Sequence, residues 1–212
     1  MGKKINEIIG MILRGILAVI YPADFCCIIC SEEDVEGLCR ECNNKITRCK
    51  EDELCIGYYK GPLKELILKF KYHKDFNAGE VLVRLIEGKL DLVEKDYCLT
   101  FIPIGEEALR SRGFNQCKYI ADEIGFRKDF KVVDTLEKVK ETKIQKTLIK
   151  EERLKNLLGA FEVKNVKKVK GRKLIIIDDV VTTGATLSEA ARVLKECGAS
   201  EIKILTLGKS NI

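Results

Sequence analysis

Leu174 to Leu187 reads LIIIDDVVTTGATL, and its order decides the fold class. Four β-prone apolar residues, Leu174 to Ile177, end at two carboxylates, Asp178 and Asp179. Val180 and Val181 follow, then a loop of small residues, Thr182, Thr183, Gly184, Ala185 and Thr186, and then a helical pattern. A buried strand that ends in acids and turns through small residues into a helix places carboxylates and backbone N–H groups at one sheet edge. That carboxyl edge is where open α/β sheets bind ligands.

Working outward, the alternation continues. The helix after the loop is closed by Gly198 as a C-cap, and Ile202 to Leu207 is a final strand. Upstream, Leu54–Tyr59, Cys98–Ile104, Val132–Leu136 and Ala160–Val163 read as strands. Leu63–Phe70, Val81–Leu92, Phe114–Ile124 and Arg153–Leu158 read as helices. Alternating strands and helices predict an α/β fold, a mostly parallel sheet with helices on both faces. The basic run Arg110 to Gly113 reads as a turn. Lys138 to Glu152 is polar without an apolar period, and reads as a mobile loop of the kind that closing lids use.

The first 50 residues read as a separate unit, with residues 51–212 forming the α/β domain. Cys27-Ile-Ile-Cys30 and Cys39-Arg-Glu-Cys42 are two CxxC pairs on one short segment. A two-residue gap lets a tight turn aim both sulfurs at one ion, and two turns complete a tetrahedron. Cys27, Cys30, Cys39 and Cys42 therefore read as a structural zinc site, with Cys26 as an alternative to Cys27. Redox-active or simply buried cysteines are the competing readings. Ten cysteines clustered in this way suit a reducing compartment, and point to the cytoplasm. Before the module, Ile5, Ile8, Ile9, Ile12, Leu13, Ile16, Leu17 and Ile20 recur at helical spacing. They predict an amphipathic helix docked on its own protein, with a signal or membrane-surface helix as the other reading. The longest clean apolar run, Gly15–Tyr21, is far short of a membrane span.

The 212 residues carry a net charge of +5, a mild excess that suits anionic ligands. Lys164 to Lys173 holds six basic residues and no acid; it reads as a solvated loop or as a contact for phosphates. Lys69 to Phe76 interleaves lysines with rings. Such a segment can serve single-stranded nucleic acid, or it can be a helix end with rings inward and lysines outward. His73 is the only histidine, and no partner is in view for a histidine-dependent hydrolytic triad.

Residues 175–186 (IIIDDVVTTGAT) resemble the signature of type I phosphoribosyltransferases, whose substrate is phosphoribosyl pyrophosphate (PRPP). The resemblance implies that Asp178 and Asp179 accept hydrogen bonds from the two ribose hydroxyls. It implies that Val180 to Thr186 wrap the 5′-phosphate through backbone N–H groups, with the hydroxyls of Thr182, Thr183 and Thr186 assisting. Small residues such as Gly184 and Ala185 let backbone approach phosphate, and the helix N-terminus favours the anion.

From end to end the chain resembles the ComF family, bacterial competence-type proteins with a zinc module on a type I phosphoribosyltransferase-like domain. The cysteine module, GPLKELILKFKYHKD (61–75) and LRSRGFNQCKYIADEI (109–124) carry the resemblance, with Thr142, Gln145, Arg153, Asn156, Gly159 and Phe161. It implies a pyrophosphate loop from Pro103 to Glu107, where Ile104 and Gly105 offer amides, and a flexible lid over Lys138–Glu152. Arg110, Arg112 and Lys140 become candidates for pyrophosphate contacts, and Glu106 and Glu107 would need magnesium between them and the anion. No catalytic residue is identified. The implied function is PRPP binding in DNA uptake, or in handling internalised single-stranded DNA with a helicase-like partner. The alternatives are a magnesium-dependent phosphoribosyltransferase acting on an unidentified nitrogen acceptor, and PRPP sensing without turnover.

Overall fold

A parallel sheet carries a hydrophobic core on each face, and its central strand ends at the acidic pair. The computed structural model describes Ile12, Gly15, Ile16, Val19 and residues 25–139 and 158–210. In chain order the elements are α1 (Arg40–Asn44), β1 (Cys55–Tyr58), α2 (Gly61–His73), α3 (Phe76–Glu87) and β2 (Tyr97–Phe101). Next come α4 (Glu106–Arg112), α5 (Gln116–Lys128), β3 (Lys131–Val132), β4 (Leu136–Lys138) and β5 (Phe161–Val163). The last are β6 (Lys173–Val181), α6 (Ala185–Glu196) and β7 (Glu201–Lys209).

Five strands pair in parallel in the order β1-β7-β6-β2-β3. β6 lies in the middle, bonded to β7 and β2, and all four residues from Leu174 to Ile177 are fully buried. Successive strand residues face opposite sides. Ile175 and Ile177 accordingly join α2, α3 and α5 in one core, while Leu174 and Ile176 join α6 in the other. This is the covered parallel sheet that an apolar run without alternation calls for.

The helices start and stop for local reasons. α2 has Pro62 in its first turn, buries Leu63, Leu66, Ile67 and Phe70, and ends at Lys74 with φ of 56°. Asp75 caps α3, accepting from the N–H of Ala78 at 3.0 Å. Asn115 caps α5, accepting from the N–H groups of Cys117 and Lys118 at 2.9 and 3.1 Å. The last helix ends as its glycine predicts: Gly198 has φ of 88°, and the Ala199 N–H reaches the Leu194 carbonyl at 3.0 Å.

Two sequence expectations change. The basic run Arg110–Arg112 is the last turn of helix α4, closed by Gly113 with φ of 79°. Glu106 and Glu107 occupy its first turn, so acids at the start and arginines at the end both complement the helix dipole. The strand expected over Val132–Leu136 divides into β3 and β4. The chain leaves the main sheet beyond Val133, where the Thr135 hydroxyl meets Thr100 at 2.6 Å, and β4 pairs antiparallel with β5.

The cysteine segment joins the sheet at its β1 edge. Tyr58 donates its N–H to the Thr47 carbonyl at 2.8 Å and Cys49 donates to Ile56 at 3.3 Å. The approach requires glycine at 57, because a Cβ there would lie 2.4 Å from the Thr47 oxygen. At the other end of the segment, Ile12 and Ile16, on the face expected to dock, are helical and exposed. The rest of the expected N-terminal helix lies outside the described residues. So do the expected helix 153–158 with Arg153 and Asn156, apart from Leu158, and most of the expected lid, including Lys140, Thr142 and Gln145. No helix among the described residues is long and apolar enough to cross a membrane.

Candidate functional site

Strand β6 delivers the loop and α6 begins inside it. Gly184 is the N-cap of α6, with φ of 76° and no side chain to satisfy the first helical N–H groups. The Thr183 hydroxyl makes only a long contact, 3.4 Å, with the Ala185 N–H. The uncapped N-terminus opens on a small concavity lined by Asp178 and residues 180–187. Orphan N–H groups and the positive end of a helix dipole make such a place an anion site. Pro103–Gly105 follows β2, and the pairing of Phe101 with Ile177 sets that turn at the same sheet edge.

Behind the loop the two carboxylates differ. Asp179 is buried and heavily engaged. Its Oδ2 accepts from Lys71 Nζ at 2.6 Å and from Gln116 Nε2 at 2.8 Å, and its Oδ1 accepts from the Val180 N–H at 2.7 Å. The Lys71–Asp179 ion pair is mostly dehydrated, with the two side chains 19% and 11% exposed. Burial alone would lower the Lys71 pKa, but the Asp179 carboxylate outweighs it and raises it. Asp178 accepts from the Asp179 N–H at 2.8 Å and lies 3.7 Å from Cys117 Sγ. Burial and the neighbouring Asp179 charge push the Asp178 carboxyl up to about 7. The same burial and the two carboxylates hold the Cys117 thiol well above its ordinary value.

The other expected residues disperse. Arg112 donates to Gln116 Oε1 at 3.1 Å and lies 5.3 Å from the Tyr72 ring centre, so it supports the acidic-pair network. Arg110 is exposed and 4.0 Å from Glu106. Lys164–Lys173 ends at the amino end of β6, five residues and roughly 17 Å from Asp178 at strand rise. There Lys164 pairs with Asp134 at 2.7 Å, and Lys173 with Glu94 and Asp96 at 2.7 and 2.9 Å. In the interleaved segment Phe70 and Phe76 pack inward on Phe114 and Tyr119, while Tyr72 and His73 face solvent. Lys71 breaks that pattern by turning inward to Asp179. Sequence reasoning missed Lys71 and gave Gln116 and Cys117 no role. The motif containing Gln116 was visible, whereas a pairing across 108 residues left no signal for Lys71.

A second constellation lies in the amino-terminal segment. The ligand atoms of Cys27, Cys30, Cys39 and Cys42 all lie within 4.8 Å of one another. Cys30 Sγ and Cys39 Sγ are 3.7 Å apart, close to the edge of about 3.8 Å in a tetrahedron with metal–sulfur arms of ~2.3 Å. Cys26 is outside this group and bridges to Glu33 through backbone. The Cys39 and Cys42 N–H groups point at the sulfurs of Cys27 and Cys39, both at 3.4 Å. Burial disfavours a Cys27 thiolate, but backbone N–H groups outweigh it and bring the thiol down to about 6. Burial and the crowded sulfurs push Cys42 far up instead. Four adjacent sulfurs cannot all ionise without a cation among them, so the group fits a metal ion.

The phosphoribosyl transferase domain family matches residues 109–211, which include α5, β6, the loop and α6. The competence protein ComFC of Bacillus subtilis is 31% identical over 193 residues, 87% of this chain and 78% of that protein. Competence protein F of Haemophilus influenzae is 30% identical over 163 residues, 73% of this chain and 71% of its own. ComFC of Streptococcus pneumoniae is 29% identical over 185 residues, covering 85% and 79%.

The raised Asp178 carboxyl has a consequence for stability. Between the ordinary value of 3.8 and about 7, the folded chain keeps a proton that the unfolded chain has lost. The group's contribution to stability therefore falls as pH rises through that window. Asp178→Asn removes the cost of the buried charge. Thermal unfolding is expected to show the variant more stable than wild type at pH 8, by about 1 kcal/mol or roughly 2–4 °C. The gain should shrink toward pH 4; a difference independent of pH contradicts the assignment.

Proposed function

Because the chain belongs to the family of the ComFC and F competence proteins, we propose that it binds PRPP or a related ribose phosphate at the β6–α6 loop and acts in DNA uptake. The observation that carries this reading is the uncapped N-terminus of α6, opening beside the carboxylate of Asp178 at the edge of the central strand. The backbone N–H groups of Gly184 to Leu187 receive the 5-phosphate. The hydroxyls of Thr182, Thr183 and Thr186 add donors, and the acidic pair orients the sugar.

Pro103, Ile104 and Gly105 form the pyrophosphate turn; Lys140, the other pyrophosphate candidate, lies outside the described residues. Glu106 and Glu107, the exposed carboxylates on the first turn of α4, would hold magnesium beside the pyrophosphate. When bound, the ion neutralises the pyrophosphate charge. In the amino-terminal unit, 1–50, Cys27, Cys30, Cys39 and Cys42 hold a structural zinc ion that replaces a core too small to form there. Cytoplasmic handling of single-stranded DNA, with a helicase-like partner, completes the reading, and the relatives' names as competence proteins support it.

Two measurements test it. Calorimetric titration with PRPP and magnesium is expected to show binding to the wild type, weakened about ten- to hundredfold in Asp178→Asn/Asp179→Asn. No binding to the wild type contradicts the reading of the loop. Metal analysis of the purified protein is expected to give one zinc per chain, lost in Cys39→Ser together with a fall in unfolding temperature. A metal-free wild type contradicts the zinc assignment.

A further inference from the structure

Two further thiols stand apart from the four-sulfur group. Cys49 lies at the end of the cysteine segment and Cys55 opens β1, and both are buried. The Cys49 thiol donates to Cys55 Sγ at 3.2 Å, and the Cys55 thiol donates to the Gly57 carbonyl at 3.5 Å. Backbone fixes this approach. Residues 47–49 run antiparallel to 56–58, with the Cys49 N–H on the Ile56 carbonyl, the Tyr58 N–H on the Thr47 carbonyl and a bridge between Arg48 and Gly57. The link between the two cysteines is anchored as well. Its Lys50 carbonyl accepts from Lys89 Nζ at 2.8 Å, and Glu53 pairs with Lys209 at the end of β7. Lys50, Glu51 and Asp52 are exposed, so the link itself is at the surface.

We infer that Cys49 and Cys55 are a modification site, a dithiol that hydrogen peroxide oxidises to an intramolecular disulfide joining the amino-terminal segment to the sheet. Bonded sulfurs lie about 2.0 Å apart, so closure takes a movement of about 1 Å. The chemistry balances. One cysteine sulfur takes a peroxide oxygen to become a sulfenic acid; the O–O bond breaks and the other oxygen leaves as water. The second sulfur attacks the first, the S–O bond breaks, and that oxygen leaves as a second water. Both thiol protons end in the waters, and the two electrons lost by the sulfurs reduce the peroxide. Burial and the Cys55 contact push the Cys49 thiol up to about 12, while the Lys209 ammonium pulls it down. The thiolate is the reactive form, so the pair rests reduced and oxidises slowly, under excess peroxide. Oxidation of the four-sulfur group would remove metal ligands. Here it adds a covalent tie where the segment meets β1, and closing the loop restricts the unfolded chain.

Peptide mapping decides it. Lys50 lies between the two cysteines, so trypsin parts them unless a disulfide joins them. The folded wild-type chain, treated with excess hydrogen peroxide in zinc-containing buffer, is expected to yield residues 49–50 linked to residues 51–60. It is also expected to unfold roughly 5 °C above the reduced chain, and dithiothreitol is expected to reverse both changes. Cys49→Ser, or Cys55→Ala should the first fail to fold, is expected to lose the linked peptide and the rise in unfolding temperature. Recovery of Cys49 and Cys55 unlinked from the treated wild type overturns the inference. So does an equal rise in unfolding temperature in the variant.

Discussion

Burial of β6 on both faces is the constraint on which the rest depends. A strand covered twice can hold only apolar residues along its length, so its polar chemistry is displaced to its end. Leu174 to Ile177 satisfy that condition, and the acids come directly after them, Asp178 partly exposed and Asp179 buried with its partners. The neighbours β2 and β7 bring their own carboxyl ends to the same edge, and α6 starts there with bare N–H groups. Sheet topology thus gathers the carboxylates, a helix end without a side-chain cap and the Pro103–Gly105 turn without further design.

Placing two carboxylates at a half-buried edge is costly, and the fold meets that cost in two ways. Asp179 receives the Lys71 ammonium and the Gln116 amide, from helices that are fixed by the larger core. Removing one partner of such a dehydrated pair typically costs about 3–5 kcal/mol, because a charge is left uncompensated. Among the described residues Asp178 has no cation of its own in contact, and its carboxyl moves toward the protonated form instead. The two neighbouring acids are thus accommodated differently, one by a cation and the other by its proton. Pairing across 108 residues also ties α2 to the end of β6, so site and core depend on the same contact.

Much of this was legible in the sequence. The parallel α/β fold followed from the apolar run at 174–177 and the alternation around it, and the CxxC spacing marked the four sulfurs that the fold brings together. Local signals failed where tertiary contacts decide. Lys71 lies among lysines that the helical pattern sends to solvent, and only the placement of α2 against β6 turns it inward. Arg110 to Arg112 read as a turn because basic residues precede Gly113, but acids four residues earlier make the segment a dipole-matched helix. Asp178 and Asp179 looked equivalent as neighbours in sequence, and their partners separate them, Lys71 and Gln116 on Asp179 against Cys117 and the loop on Asp178. Glycine 57 gave no hint of the Thr47 carbonyl that its missing side chain admits.

The central claim is that the start of α6 is the phosphate site. Nuclear magnetic resonance of the ¹⁵N-labelled chain, titrated with ribose 5-phosphate, tests it most directly. The account predicts the largest amide shifts at Thr183 to Leu187, with little change along Lys164–Lys173. Shifts concentrated on that basic run, with the α6 amides unmoved, would contradict it.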